Sequence, residues 1–181
     1  MKRYSVVGGL FLMLLITYID RAAISSAALA ISSDLGLSNQ AMGGVFSAFA
    51  LGYAVAQIPG GWLADRYGPR LALALVVMVW SLFTGATGAV SSVTALLAVR
   101  FLFGVAEAGA FPGAARVIFN WLPVDERGRA NGIIFSGSRL GAAFAFPAMA
   151  WLLAAWNWRT AFYLLAIPGL AWSLLWALLF R

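Results

Sequence analysis

Six apolar stretches, each long enough to cross a bilayer, constrain this chain more than any other feature. They run at residues 6–32, 39–63, 71–90, 94–121, 129–153 and 159–179. About 20 apolar residues suffice for a helix to traverse the hydrocarbon core. Backbone groups facing lipid find no water, so each segment must satisfy its own hydrogen bonds as a helix, and segments this long are not barrel strands. The expected fold class is therefore an all-α membrane protein with six transmembrane helices, its main partner the lipid bilayer. Composition agrees: 63% of residues are hydrophobic and 10% charged, against about 45–50% apolar and roughly 25% charged in soluble chains. The 181 residues leave space for one such unit and for no sizeable soluble domain.

The charge excess, 12 Lys+Arg over 6 Asp+Glu, does not point to nucleic acid, because the bases form no run with interleaved aromatics. The chain has no cysteine and no histidine. It therefore lacks a thiolate nucleophile, a disulfide framework and the commonest metal ligand and proton shuttle, and no metal site or cofactor is expected. An intramembrane protease would need serine with histidine, or two membrane aspartates, so an enzyme is not expected. Lys2 and Arg3 before the apolar run resemble a secretory signal, with Ala28-Leu29-Ala30 as a cleavage site. The charged pair Asp20-Arg21 within that run instead predicts a functional first membrane helix.

Short polar joints set the orientation. Lys2, Arg3, Arg66, Arg70, Arg127, Arg129 and Arg181 fall on one side, and Arg159 alone lies near a helix end on the other. The positive-inside rule then makes both termini cytoplasmic. Trp62 and Trp121 near inner ends, with Trp156 and Trp158 at an outer end, fit interfacial anchoring.

The spans also repeat. Residues 41–56 aligned with 130–145, an offset of 89, match at eight of sixteen positions, among them Gly52/Gly141 and Ser47/Ser136. Near offset 87 Asp20 falls opposite Glu107, and near 92 Trp80-Ser81-Leu82 falls opposite Trp172-Ser173-Leu174. The unit is three helices, and an odd number of spans inserts the second copy upside down, giving two inverted three-helix repeats. Shared small-residue packing faces are the other reading of these matches.

Six ionisable residues lie inside spans: Asp20, Arg21, Arg100, Glu107, Arg116 and Arg139. At about 1.5 Å of rise per residue, Asp20, Arg21, Glu107 and Arg139 all sit roughly 17 to 21 Å from the outer ends of their helices. Arg100 precedes Glu107 by two turns on a similar face. A charge at this depth costs at least about 2.5 kcal/mol, so these residues must face partners or a water-filled cavity. Arg116 reads as a snorkelling or loop-pairing residue near the cytoplasm; Arg139 reads equally as an ion-pair partner or a functional cation. Apart from Arg116, three arginines face two carboxylates. The resulting positive bias favours an anion, and protonating Asp20 or Glu107 would strengthen it.

At these residues the chain resembles the major facilitator superfamily and, more narrowly, its anion:cation symporter family. Gly61-Trp-Leu-Ala-Asp65-Arg66-Tyr-Gly68-Pro-Arg70 is similar to the superfamily signature between helices two and three, with Pro69 where a base is often found. Arg100-Phe-Leu-Phe-Gly104-Val-Ala-Glu107 resembles its helix-four motif. Tyr18-Ile19-Asp20-Arg21 and Asn120-Trp121-Leu122-Pro123 with Glu126-Arg127 look like the narrower family. The resemblance implies a secondary transporter, the N-terminal half of a twelve-helix fold, moving a small organic anion such as a carboxylate or sugar acid with protons across a bacterial inner membrane. It implies that Arg21 binds the substrate carboxylate, that Asp20 and Glu107 carry protons, and that Arg100 pairs with Glu107. Tyr53 and Ser138 then face the cavity, with Arg139 beside them. Ser138 stands where some sugar-acid carriers have glutamine, which weakens the case for a sugar acid. Asp65, Arg66 and Arg70 form a cytoplasmic latch of salt bridges and helix-end contacts.

The chain covers only half of such a transporter, so a missing C-terminal six-helix half is expected as partner and one copy of these residues is not expected to transport. Arg181 falls where helix six should enter the cytoplasmic linker, which reads as a fragment or truncated product. A homodimer supplying the second half, a channel, and a non-transporting membrane scaffold are the alternatives.

Overall fold

The computed structural model describes residues 3–180; Lys2 and Arg181, two of the bases used for orientation, lie outside the described residues. The helices are α1 (Arg3–Leu35), α2 (Asn39–Tyr67), α3 (Pro69–Ala89), α4 (Val93–Glu107), α5 (Ala110–Trp121), α6 (Val124–Ala155) and α7 (Trp158–Leu179). They form six spans, because α4 and α5 are two pieces of the fourth. A continuous helix was expected over 94–121, but the span breaks at Ala108–Gly109. Pro112 has no N–H for the Ala108 carbonyl and its ring clashes there. Gly60 of α2 crosses at the break, so close that a Cβ on it would lie 2.7 Å from the Cα of Gly109.

The charged joints are shorter than the sequence suggests, because helices continue through them. Asp65 and Arg66 ride the last turn of α2 and Arg70 the first turn of α3. Between them Gly68 makes the whole connection at φ 80°, a left-handed backbone that suits glycine, and Pro69 opens α3 at its first position. The expected 122–129 loop reduces to Leu122 and Pro123; Asp125 and Glu126 occupy the first turn of α6, favourable at the positive end of a helix dipole.

Packing follows the repeat. The most extensive pairings are α1 with α6, α3 with α7, and α2 with α4. Exchanging the first three spans with the last three converts the α1–α6 pair into the α4–α2 pair and maps α3–α7 onto itself. The glycines show why. A Cβ on Gly52 of α2 would collide with the Phe101 carbonyl oxygen of α4, and one on its mate Gly141 of α6 with the Leu15 carbonyl oxygen of α1. Missing side chains thus let both helix pairs touch backbone to backbone.

A second matched pair closes the ends. Arg70, at the start of α3, donates from Nε to the Ala177 carbonyl near the end of α7 at 3.0 Å. Arg159, 89 residues later at the start of α7, donates from Nη2 to the Val90 carbonyl at the end of α3, also at 3.0 Å. Arginine at a helix C-terminus satisfies carbonyls that have no partner within the helix. Arg159 also pairs with Asp34 of α1, so the base that seemed exceptional on its side of the membrane is a structural clasp.

Two apolar cores lie toward the two ends of the bundle. One gathers Val6–Leu14 side chains with Leu73, Trp80, Val117 and Trp176; the other gathers Ala23, Ile24, Ile31, Met42, Leu96 and Phe162. Between them runs a layer of buried polar groups: Thr17, Asp20, Ser81, Thr84, Arg100, Glu107 and Ser138.

Candidate functional site

Glu107 is 0% exposed, and Asp20 and Arg100 are each 2% exposed. Burial without compensation would be prohibitive for each, so their partners define the site. Arg21 of α1 donates from Nε to the Glu107 carboxylate of α4. The guanidinium sits within a cage of four rings, 4.7 Å from the Tyr53 centroid, 5.3 Å from Tyr18 and Phe49, and 5.8 Å from Phe111. Aromatic faces attract a cation that is largely withdrawn from water, the Arg21 side chain being 22% exposed.

This geometry corrects the expected Arg100–Glu107 pair. The two Cα atoms are seven residues apart, about 10 Å along the helix, whereas Arg21 reaches the carboxylate from the facing helix. Among the described residues Arg100 forms no ion pair. Its guanidinium stacks over Phe103 at 4.5 Å and Phe49 at 5.2 Å. The backbone contacts of Leu15 and Phe101 also set the repeat offset here at 86, one less than the sequence alignment suggested. That places Arg21, rather than Asp20, opposite Glu107, so the ion pair joins symmetry mates.

Asp20 points the other way, toward α3, where Thr84 donates its hydroxyl to Oδ2 at 3.4 Å. Its Oδ1, the Arg21 Nη2, the Arg100 Nε and the Glu107 Oε2 have no hydrogen-bond partner among the described residues. Of the other expected residues, Tyr53 lies against Arg21. Ser138 is buried with its Oγ donating to the Phe135 carbonyl at 2.7 Å. Arg139 is exposed and makes no ion pair among the described residues.

At the end carrying the termini, Asp65 pairs with Arg116 at 3.5 Å, the loop-pairing partner expected of that arginine. Arg66 stacks over Trp62 at 5.1 Å, Arg70 holds Ala177, and Arg3 pairs with Glu126 at 3.2 Å. Phe49, Phe103, Phe111 and Thr84 were missed from the sequence. Phe49 lies one helical turn before Tyr53, a spacing that puts both on one face and would have flagged it. Nothing local marks Thr84.

A bundle of two inverted three-span repeats holding buried charges between its cores is the architecture of secondary transporters. The Major Facilitator Superfamily model matches residues 10–181, and the chain belongs to that family. It is 45% identical over 99% of its length to a probable sulfoacetate transporter, SauU, of Cupriavidus necator, covering 42% of that protein. It is 41% identical over 96% of its length to a probable galactarate/D-glucarate transporter, GudP, of Bacillus subtilis, covering 40% of it. Among solved structures it resembles a bacterial homologue of the human lysosomal transporter Spinster, inward-facing and unoccupied, with a TM-score of 0.87, 29% identity, and coverage of 99% of this chain and 43% of that one. The likeness is to the six-helix N-terminal half, of the anion:cation symporter type. Both of these curated relatives are named as transporters. The chain spans about two fifths of the length of the curated relatives it matches.

Proposed function

We propose that this chain is one half of a secondary transporter that carries a small organic anion in symport with protons, with Arg21 as the anion-binding cation. The Arg21–Glu107 pair carries this reading. While Glu107 is ionised it neutralises Arg21 through Nε, and the buried Nη2 of Arg21 has no partner among the described residues. A proton on Glu107 weakens the internal pair and leaves the guanidinium for a substrate carboxylate, which it can bind through charge-assisted hydrogen bonds. Proton and anion therefore favour each other's binding, which is coupling by linkage. Asp20 is a second proton carrier beside α3. Arg100, held by rings, keeps the layer positive, and Tyr53, Ser138 and Arg139 border the substrate. The names of the relatives, sulfoacetate, galactarate/D-glucarate and hexuronate transporters, support an organic acid.

In this reading both termini are cytoplasmic in a bacterial inner membrane, and Asp65, Arg66 and Arg70 latch that face. A second six-helix bundle closes the cavity. Uptake of labelled organic acids into proteoliposomes holding the full-length transporter, driven by an imposed pH gradient, tests the function. Gradient-driven accumulation is expected, with Glu107→Gln retaining exchange but losing accumulation. Uptake indifferent to the gradient would remove proton coupling, and no carrier-mediated uptake of any acid would favour a scaffold. Single cysteines in the 64–70 and 122–129 segments, inert to an impermeant thiol reagent in intact cells, are expected from the orientation.

A further inference from the structure

Asp20 is the buried carboxylate that the Arg21–Glu107 pair leaves unexplained. Its layer holds four buried hydroxyls, Thr17 on α1 and Ser81, Thr84 and Thr87 on α3. Each donates to the carbonyl four residues earlier in its own helix: Thr17 to Met13 at 2.8 Å, Ser81 to Val77 at 2.7 Å, Thr87 to Phe83 at 2.9 Å and Thr84 to Trp80 at 3.2 Å. Thr84 makes the longest of these bonds, and of the four it alone also reaches another side chain, Asp20 Oδ2 at 3.4 Å. Its hydroxyl therefore stands between two acceptors, a backbone carbonyl and a carboxylate.

A hydroxyl carries a single hydrogen, but its oxygen also accepts. When Asp20 is ionised, Thr84 serves it as donor, and the Trp80 carbonyl keeps the helical bond from the Thr84 backbone N–H. When Asp20 is protonated, the carboxyl O–H donates to Thr84 Oγ1, and the threonine hydrogen turns back to the Trp80 carbonyl. The Trp80 indole N–H, one turn earlier on α3, is buried without a partner among the described residues; it can only donate, so it cannot receive the acid proton. The charged surroundings offer no substitute. Arg21 is held by Glu107, and Arg100 of α4 is stacked on Phe49 and Phe103. Arg70 is the one charged residue of α3 and is committed to Ala177 at the end of the helix pair. On α7, Arg159 clasps Asp34 and Tyr163 is exposed; on α6, Arg139 is exposed. The remaining charges of α2, α5 and α6 lie at the end carrying Arg3, where Asp65 pairs with Arg116 and Glu126 with Arg3.

We infer that Thr84 is a positioning residue for the proton of Asp20: its hydroxyl donates to the carboxylate and accepts from the carboxylic acid, so Asp20 keeps a partner in both states. This assignment rests on the reading of Asp20 as a proton carrier. A buried polar group left without a partner is costly. A partner that can only donate would penalise the protonated state, and one that can only accept would penalise the ionised state. Threonine meets both by rotating one hydroxyl, and neither α1 nor α3 has to shift. Asp20 can then take up and release its proton within intact α1–α3 packing, whereas a proton on Glu107 loosens the contact between α1 and α4.

The test needs no substrate. Infrared difference spectra between acidic and alkaline pH, recorded on the purified full-length transporter in lipid, read protonated carboxyl groups directly, and the carboxyl band that Asp20→Asn removes belongs to Asp20. Thr84→Val, which keeps the shape and loses the hydroxyl, should move that band to higher frequency, as for a carboxyl group freed of a hydrogen bond. It should also raise the pH at which the band is half-formed by about half a unit to one unit, because the charged form loses the stronger hydrogen bond. Thr84→Ala, a second variant without the hydroxyl, should give the same two shifts, and Thr84→Ser should return both to the wild-type values. An Asp20 band unmoved in the valine and alanine variants, or no recovery with serine, would overturn the role of Thr84 and leave Asp20 a proton carrier. An equal displacement of the band that Glu107→Gln removes would reveal loosened packing instead and overturn it too. Absence of any Asp20 band across the pH range would remove Asp20 as a proton carrier, and the assignment of Thr84 with it.

Discussion

The two three-span repeats share packing but not chemistry. Gly52 and Gly141 bring their helices against the carbonyls of Phe101 and Leu15 in the same way, and Arg70 and Arg159 clasp the ends of α7 and α3 in the same way. At the centre the likeness ends. The first repeat contributes Arg21 and the second, at the matched position, Glu107. An exact repeat would set like charges face to face, and inverting the sign at one position converts repulsion into an ion pair. The α4–α5 break also has no counterpart in continuous α1. Backbone approach is thus the part the repeats share, and the buried ion pair lies where they differ.

Breaking the symmetric part should have the largest effect. Gly52→Leu and Gly141→Leu each force a side chain into a neighbouring backbone, and both are expected to abolish recovery of monodisperse protein by size-exclusion chromatography. Tolerance of one alone would show that the matched glycines are not equivalent.

The divergent centre should come next. Arg21→Ala leaves Glu107 buried without its cation, a loss of about 3–5 kcal/mol, whereas Glu107→Gln keeps a neutral hydrogen-bonding partner for Arg21 and should cost less. The exchange Arg21→Glu with Glu107→Arg should recover much of the stability of the single variants and no anion transport, since the cation then sits in the other repeat. Thermal unfolding in detergent and uptake assays separate the two results, and transport by the exchanged protein would show that polarity across the repeat does not matter.

The end clasps sharpen the comparison further. Arg70→Ala and Arg159→Ala should each lower the melting temperature by a few degrees, Arg159→Ala more, because it also releases Asp34. Equal shifts would mean that the Asp34 contact adds nothing beyond the shared carbonyl bond. The smallest effect is expected for Ser138→Ala: its hydroxyl is committed to a carbonyl of its own helix, so stability should stay within about 0.5 kcal/mol and substrate affinity should be nearly unchanged. A large loss of affinity would show that the hydroxyl leaves Phe135 to meet the substrate.

Hydropathy alone determined the six spans, and the residue matches at offset 89 determined the inverted repeat, because insertion into lipid and backbone satisfaction are properties of each segment by itself. The depth of Asp20, Arg21 and Glu107 was likewise legible, since rise per residue is constant along a helix. Charged residues at 64–70 and 122–129 look like loop in a hydropathy pattern, whereas most of them complete helix termini. Only the tertiary structure decided which charge meets which. Arg100 and Glu107 share a helix face, yet Glu107 pairs with Arg21, because close backbone contact at glycines sets the rotation and height of neighbouring helices. The ring cage and the turn of Asp20 toward Thr84 depend on the same choice. Each brings together residues from helices far apart in sequence, and no local periodicity encodes that meeting.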